Sequence, residues 1–317
     1  MNKELRISVC SRSFSQHPEL RSELLAQFKH VKFNDEGLRL EGDSLVAFLQ
    51  DCDGAIIALE AIDHAVLAQL PNLKFIGKYG VGLDKLDFDA LEEADVKLGW
   101  TPGVNAQNVA ELTIALALSI IKNIPTSNQW AENGNWKQIK GRQLSSMTYG
   151  IIGCGHVGKA LAKLLSCFGV KILVHDIVDY SDFYEQYNIT SVPLDDLLEQ
   201  SDILSIHIPK NKKNENLLDA SKIDLMKPGA YMVNTARGGL VDEVAIIEAL
   251  DKNRLSGVAF DVLETEPPVD LSFIQHPRTY VTTHIAGSSE EAILAMGRAA
   301  IQGLSDFYPA NTFAKYK

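Results

Sequence analysis

Residues 150–158 read Gly-Ile-Ile-Gly-Cys-Gly-His-Val-Gly, and this stretch decides the fold of the chain. Its first three residues continue an apolar segment that predicts a buried strand, and the amphipathic pattern over about residues 157–167 predicts a helix directly after the glycines. Residues 171–174 predict a second strand. A strand, a glycine-rich turn, a helix and a strand in this order are typical of a βαβ unit in a parallel sheet.

The three glycines of this turn have the spacing that a bound dinucleotide requires. Gly153 permits the tight turn, Gly155 lets the backbone approach a pyrophosphate, and Gly158 allows the helix to pack closely on the strand. The amides of His156 and Val157 at the start of the helix would face the phosphates with the positive end of the helix dipole. The turn therefore predicts a dinucleotide site.

Asp176 indicates which dinucleotide is bound. It ends the second strand, 23 residues after Gly153, where an acceptor for the ribose hydroxyls belongs. Its charge would repel a 2′-phosphate, and Ile177 and Val178 supply no arginine to bind one. We therefore predict NAD as the cofactor. The alternative interpretation is a glycine-rich turn followed by a surface aspartate.

Length and composition set the broad class of the protein. A chain of 317 residues with 46% hydrophobic and 22% charged residues predicts two globular domains. The net charge of -11 argues against nucleic acid or an anionic membrane as a partner, and the longest apolar run, Leu112–Ile121, is shorter than a membrane span. The four cysteines form no CxxC pair, so we expect no disulfide, no metal site and a cytoplasmic location.

Strand-like and helix-like segments alternate twice along the chain. The first alternation runs from Ile7–Val9 to Val96–Leu98, and the second from Thr148–Ile152 to Val258–Phe260. An apolar helix over about residues 105–122 separates them, and a last helix over about residues 288–304 follows. These patterns predict an α/β fold with two Rossmann-like, doubly wound parallel sheets, while periodicity leaves open which unit carries the last helix.

Three side chains of catalytic type follow strands of the second alternation, namely Arg237, Glu266 and His284. Ligands of open α/β sheets bind at the carboxyl ends of the strands. A guanidinium can hold a carboxylate and polarise the adjacent carbonyl, and a histidine can donate a proton near pH 7. A carboxylate can orient the imidazole and raise its pKa. Each residue alone has an ordinary structural explanation, but together they predict the reduction of a 2-keto acid.

These motifs together resemble the D-isomer-specific 2-hydroxyacid dehydrogenase family. Lys78–Asp84 and Asn108–Glu111 also match its pattern, so the resemblance covers about residues 5–305. It implies a substrate domain of residues 1–103 plus 285–317, completed by the C-terminal helix, and an NAD-binding Rossmann domain of residues 104–284. It also implies a homodimer formed through the cofactor domain.

The resemblance assigns roles to further residues. Asp261 would contact the nicotinamide carboxamide, with a loop cap as the alternative, and the turn Ile208–Pro209 would lie along the adenine. Backbone amides of Val81 and Gly82 would bind the substrate carboxylate from the other domain. The remaining predicted cofactor contacts are Thr235, Ala236 and Gly287.

The first unit carries the signal for the substrate. Ser11–Phe14 is similar to phosphoglycerate dehydrogenases, so Arg12 and Lys78 would bind a phosphate or carboxylate, with a solvated loop arginine as the alternative. We predict D-3-phosphoglycerate as the substrate. Because the chain ends at Lys317 without a regulatory domain, glyoxylate or hydroxypyruvate reduction is the second prediction. A non-enzymatic NAD sensor of the corepressor type is the third, since such relatives keep the same three catalytic-type residues.

Overall fold

The structure, a computed structural model, describes residues 3–316 and divides the chain into two compact units. Unit 1 comprises the residues up to Asn105 and those from Gly287 on, and unit 2 comprises Ala106–Ala286. Each unit has its own parallel sheet and its own hydrophobic cores. The predicted α/β class with two doubly wound parallel sheets is therefore confirmed.

Unit 1 is built on a five-stranded sheet. Its strands are β1 (Arg6–Val9), β2 (His30–Phe33), β3 (Gly54–Ile57), β4 (Phe75–Lys78) and β5 (Lys97–Gly99). They are parallel and lie in the order β2-β1-β3-β4-β5, so the chain changes direction across the sheet between β1 and β3. Such a switch point is where open sheets leave a crevice for ligands.

Helices cover both faces of this sheet. The first five helices of the chain are α1 (Arg12–Gln16), α2 (Pro18–Gln27), α3 (Gly42–Leu49), α4 (His64–Leu67) and α5 (Phe88–Glu93). Ala55 and Ile57 are buried in one core with Leu45 of α3, whereas Ile56 is buried in another core with Leu24 of α2. Successive side chains of a strand point to opposite faces, so the central strand β3 is apolar on both faces.

Unit 2 is built on a seven-stranded parallel sheet. Its strands are β6 (Thr148–Ile152), β7 (Lys171–His175), β8 (Ile189–Ser191), β9 (Ile203–Ile206), β10 (Ala230–Asn234), β11 (Leu255–Phe260) and β12 (Thr279–Val281). They lie in the order β8-β7-β6-β9-β10-β11-β12, with the switch point between β6 and β9. This is the strand order of dinucleotide-binding sheets, extended by one strand.

The helices of unit 2 pack on both faces of this sheet. They are α6 (Ala106–Ile121), α7 (Ile124–Glu132), α8 (His156–Ser166), α9 (Ser181–Gln186), α10 (Leu194–Gln200), α11 (Ala220–Ile223), α12 (Glu243–Asp251) and α13 (Ser272–Gln275). Ile151 of β6 is buried with α6 and α8 on one face, and Ile152 is buried with α10 and α12 on the other. In the described part of the chain no single helix is long and apolar enough to cross a membrane. Only α6 and α7 together reach that length and composition, with a 63° bend between them.

The last helix, α14 (Glu290–Gly303), returns to unit 1 and packs on β4 and β5. Two glycines of the sheet make this contact possible. A Cβ atom on Gly77 would lie 2.3 Å from the carbonyl oxygen of Ala300, and one on Gly99 would lie 2.0 Å from that of Gly303. Short 3₁₀ helices at Leu144–Ser146 and Ala310–Tyr316 complete the elements.

Candidate active site

The glycine loop joins β6 to α8, and its three glycines differ in their surroundings. Gly153 has a φ of +92°, in the left-handed region that favours glycine. A Cβ atom on Gly158 would lie 2.0 Å from the carbonyl oxygen of Gly153, so the helix packs directly on the loop. A Cβ atom on Gly155 would meet no heavy atom within 4 Å. The loop is thus closed at both ends and open in the middle, a cradle that fits a pyrophosphate.

Asp176 follows β7 and reaches this loop. Its Oδ2 accepts a hydrogen bond from the Cys154 amide at 2.5 Å, and its Oδ1 accepts one from the Val178 amide at 2.8 Å. A carboxylate has about four acceptor positions, so two contacts leave capacity for ribose hydroxyls. The position of Asp176 at the carboxyl end of β7 fits its predicted role, which remains a prediction.

The other residues predicted on the phosphate and adenine side lie around the same loop. The Cγ2 atom of Ile208 lies 2.6 Å from the point that a Cβ atom on Gly153 would occupy, so this side chain contacts the loop. Pro209 is exposed next to it. His156 is exposed and Val157 is half-buried in the first turn of α8, where helical amides have no partner within the helix.

Asn234, the last residue of β10, shapes the turn that carries Arg237. Its Oδ1 accepts a hydrogen bond from the Ala236 amide at 3.0 Å, and its Nδ2 donates to the carbonyl oxygen of Arg237 at 2.9 Å. Only 1% of Asn234 is exposed, so this side chain serves the turn and not solvent. The half-buried Arg237 donates from Nη1 to the carbonyl oxygen of Ala236 at 2.7 Å.

A buried hydroxyl pair holds the same turn against α6. The Oγ1 atoms of Thr113 and Thr235 lie 2.8 Å apart, and Thr113 donates its proton to the carbonyl oxygen of Val109 at 2.7 Å. Thr235 is therefore the donor within the pair, since a hydroxyl has one proton. Sequence reasoning did not single out Asn234 or Thr113. The available signal for Thr113 was a hydroxyl in the buried part of an apolar helix.

Glu266 and His284 form a direct pair. His284 Nδ1 and Glu266 Oε2 lie 2.7 Å apart, and Glu266 Oε1 accepts a hydrogen bond from the Leu263 amide at 2.9 Å. The His284 side chain is 46% exposed and the Glu266 side chain is 37% exposed, so a small molecule can reach the pair from solvent. Because Nδ1 faces the carboxylate, Nε2 is the nitrogen suited to exchange a proton with a substrate.

The pair changes the proton affinity of both groups. The hydrogen bond to Glu266 raises the pKa of His284, against burial and the positive charge of Arg237, and the charge of Asp261 acts in the same direction as Glu266. Burial acts to raise the pKa of Glu266, but the hydrogen bonds with His284 and the Leu263 amide outweigh it, so this pKa is lowered. Each group therefore favours the charged form of the other, imidazolium beside carboxylate.

Asp261 holds the loop that presents His284. Its buried carboxylate accepts hydrogen bonds from Thr282 Oγ1 at 2.6 Å, the Ile285 amide at 2.8 Å and the Ala286 amide at 2.9 Å. Its backbone oxygen accepts from the His284 amide at 2.9 Å. These contacts give Asp261 the loop-capping role that was the alternative interpretation, while its contact with the nicotinamide remains a prediction.

The predicted substrate residues belong to unit 1. Lys78 is 4% exposed, and its ammonium group donates to the carbonyl oxygens of Ala58 at 2.7 Å and Tyr79 at 2.9 Å. Val81 and Gly82 are half-buried in the loop that follows β4. Lys78 therefore has a clear structural role, and the binding roles of all three residues remain predictions.

Two further predicted contacts lie in the same unit. Arg12 is exposed at the start of α1. Gly287 follows the His284 loop and lies near Asn105, whose Nδ2 would be 3.4 Å from a Cβ atom on this glycine. Across residues 3–316, no group of three or more His, Cys, Asp or Glu side chains is arranged to hold a metal ion.

Comparison with known proteins gives a consistent result. Residues 114–286 match the family model described as D-isomer specific 2-hydroxyacid dehydrogenase, NAD binding domain. The glyoxylate reductase of Thermofilum pendens is 35% identical over 271 residues, which are 83% of this chain and 80% of that protein. The D-3-phosphoglycerate dehydrogenase of Archaeoglobus fulgidus is 35% identical over 239 residues, 74% of this chain and 45% of that protein.

The chain thus spans about half the length of the phosphoglycerate dehydrogenases that it matches. Among solved structures, an NAD-binding protein of Polaromonas sp. JS6 66, assigned to the D-isomer specific 2-hydroxyacid dehydrogenases, has a TM-score of 0.88 and 28% identity, covering 95% of this chain and 96% of that one. NAD as the cofactor and a dehydrogenase acting on 2-hydroxy acids are therefore confirmed at the level of the family. From these matches we conclude that the chain belongs to the D-isomer specific 2-hydroxyacid dehydrogenase family.

Proposed function

We propose that this protein interconverts a D-2-hydroxy acid and the corresponding 2-keto acid with NAD. The observation that carries the proposal is the 2.7 Å contact between His284 Nδ1 and Glu266 Oε2, within electrostatic reach of Arg237. All three residues follow strands at the carboxyl edge of the unit 2 sheet. A cation, a proton donor and a carboxylate at this edge are what the reduction of a 2-keto acid requires.

The glycine loop and the residue that follows β7 fit the cofactor. The open cradle at Gly155 would take the pyrophosphate, and Asp176 would accept hydrogen bonds from the adenosine ribose. When bound, NAD supplies the hydride acceptor for the hydroxy acid, and NADH supplies the hydride donor for the keto acid.

In the reducing direction, Arg237 binds the substrate carboxylate and draws electron density onto the carbonyl oxygen. Protonated His284 gives its Nε2 proton to the alkoxide that forms as hydride reaches the carbonyl carbon. Glu266 stabilises the imidazolium before this step and keeps the ring oriented through Nδ1. In the oxidising direction, neutral His284 removes the hydroxyl proton.

D-3-phosphoglycerate is the first substrate that we propose. The supporting observations are the relatives of that name and the exposed Arg12 at the carboxyl end of β1. A guanidinium at this position would bind the phosphate in bidentate geometry. Lys78 would add a second cation next to the backbone amides of Val81 and Gly82.

Glyoxylate or hydroxypyruvate is the second candidate, and two observations favour it. The Lys78 ammonium group already donates to two backbone carbonyl oxygens, which reduces its capacity for a phosphate. The glyoxylate reductase of Thermofilum pendens matches over 80% of its length, unlike the phosphoglycerate dehydrogenases.

Steady-state rates with 3-phosphoglycerate, glyoxylate, hydroxypyruvate and pyruvate, each with the matching form of NAD, distinguish these candidates. Replacing Arg12 with Ala should raise KM only for the phosphorylated substrate, by about ten-fold or more. Arg39→Ala is the control, since Arg39 is an exposed arginine paired with Glu41 at 3.1 Å. If no 2-keto acid is reduced while NADH still binds, the NAD-sensor alternative replaces the enzyme.

We also propose a homodimer formed through the segment after α6. None of the residues of α7 is buried, Ile124 at its start is 51% exposed, and Trp136 beyond its end is 93% exposed. Large apolar side chains that a single chain leaves exposed are typical of a protein interface. For location we propose the cytoplasm, because all four cysteines are unpaired and three of them are buried.

A further inference from the structure

Glu243 makes a contact that neither helix capping nor the proposed chemistry explains. It is the first residue of α12, and the preceding residue already caps this helix, because Asp242 Oδ1 accepts from the amides of Val244 and Ala245 at 3.0 Å each. The Glu243 carboxylate is directed elsewhere. Its Oε1 accepts a hydrogen bond from the amide of Glu264, 21 residues further along the chain, at 2.8 Å.

The amide that Glu243 holds is adjacent to the one that holds the catalytic carboxylate. The Leu263 amide donates to Glu266 Oε1 at 2.9 Å, so two consecutive amides donate to two different carboxylates. The carbonyl oxygen of Leu263 lies against Gly238, where a Cβ atom would approach it to 1.9 Å. The Leu263–Glu264 peptide is therefore held by α12 and by the Arg237 turn, and the peptide directly before it donates to Glu266.

The surroundings of Glu243 oppose a purely electrostatic explanation of this contact. Burial raises the pKa of Glu243, and the negative charges of Glu264, Asp242 and Glu266 act in the same direction, while only the Glu264 amide lowers it. Four carboxylates thus lie near one another around this peptide. A half-buried carboxylate next to like charges is unfavourable, and here the hydrogen bond to the Glu264 amide partly offsets that cost.

We infer that Glu243 is a positioning residue of the site: it holds the Leu263–Glu264 peptide so that the Glu266 carboxylate meets the ring of His284. The inference rests on the proposed function, because it assigns Glu243 to the machinery that keeps His284 protonated. Without the Glu243 contact, the Leu263–Glu264 peptide retains its packing against Gly238, but its amide loses the carboxylate that accepts from it. Glu266 then has a wider range of positions, and its hydrogen bond to His284 is weakened.

Glu243→Ala and Glu243→Gln test this inference. The alanine variant should lower kcat by about ten-fold, the size expected for one lost hydrogen bond, and leave KM for NADH within about two-fold. The glutamine variant keeps an acceptor oxygen and should restore most of the rate. Glu248→Ala is the matched control, since Glu248 is an exposed carboxylate of the same helix that pairs with Lys252 at 2.9 Å.

The pKa of His284 provides a readout that does not depend on turnover. Three charged groups besides the histidine set it, namely Glu266, Asp261 and Arg237. Titration of the histidine rings by nuclear magnetic resonance, with His284→Asn for assignment, should show a lower His284 pKa in Glu243→Ala than in the wild type, and recovery in Glu243→Gln.

A Glu243→Ala protein with lower kcat or lower stability but an unchanged His284 pKa would overturn the inference, as would a kcat equal to that of Glu248→Ala. If the wild type reduces no 2-keto acid, the proposed function fails, and the ring titration alone decides the role of Glu243.

Discussion

His284 combines an unusual backbone conformation with a paired side chain. Its φ of +59° lies in the left-handed region, which residues other than glycine rarely adopt. The hydrogen bonds from His284, Ile285 and Ala286 to Asp261 hold the loop in this conformation. Asparagine tolerates the left-handed region better than most residues, so His284→Asn removes the acid with the least disturbance of the loop.

Replacing Glu266 with Gln should move the alkaline limb of the reduction rate to lower pH. The rate depends on protonated His284, so it is full below the pKa of that residue and is lost as pH rises through it. Since Glu266 raises this pKa, removing its charge lowers the pH at which the rate falls. A pH–rate profile measured beside Glu264→Gln, an exposed neighbour, checks the shift. A limb at the wild-type position would assign the proton affinity of His284 to another group.

Replacing Asp176 with Ala should reduce the preference for NADH over NADPH by about ten-fold or more. The substitution removes the charge that repels a 2′-phosphate, and it also removes the contact to the Cys154 amide, so KM for NADH should rise as well. Asp179→Ala is the control, because Asp179 is an exposed carboxylate close by in sequence. The measurement is kcat/KM for both cofactors, and an unchanged ratio would remove the role assigned to Asp176.

Among the elements, the glycine loop contains one glycine that the fold requires, Gly158, and one that cofactor binding requires, Gly155. In Gly158→Ala the added methyl group meets the Gly153 carbonyl, and the free energy of unfolding should fall by about 2 kcal/mol. In Gly155→Ala the methyl group meets no protein atom, so stability should change by less than about 1 kcal/mol while the Kd for NADH rises by about ten-fold. Thermal unfolding and NADH titration of both variants test this. The idea of an open cradle fails if Gly155→Ala binds NADH like the wild type.

The elements that sequence patterns predicted are those with a buried apolar stretch. β6 and β7 are inner strands of a parallel sheet in which Tyr149–Ile152 and Ile172–Val174 are buried, and α6 is an apolar helix of 16 residues. β2 was missed because it is an edge strand in which His30 and Lys32 are exposed and Val31 and Phe33 are only half-buried. α7 was missed because none of its residues is buried, and a helix without a buried face need not show the apolar periodicity by which helices are predicted.

For the site, the sequence predicts which residues follow a strand, but it does not predict which side chains from distant segments contact one another. Arg237, Glu266 and His284 were expected to lie together because each follows a strand of one parallel sheet. The structure brings Glu266 and His284 to hydrogen-bond distance and Arg237 within electrostatic reach. The contacts of Thr113 with Thr235, 122 residues apart, and of Glu243 with Glu264 depend on how α6 and α12 pack, which no local pattern contains.

On the scale of the whole molecule, the proposed dimer can be tested through Trp136. Sedimentation of the wild type should give twice the chain mass. Trp136→Ser should shift the equilibrium toward the monomer, because it removes an exposed indole that the second subunit would cover in the dimer. Val269→Ser is the control, since Val269 is 91% exposed in a different loop of unit 2. A wild type that sediments as a monomer at micromolar concentration would contradict the proposal.

The return of α14 to unit 1 has a consequence for synthesis on the ribosome. The chain emerges from its N-terminus, so all of residues 106–286 are available before the helix that packs against Gly77 and Gly99 has been made. Until α14 has been synthesised, the side of β4 and β5 on which it packs is not covered by it. The nucleotide-binding half can thus mature first, and the half that begins the chain is finished last.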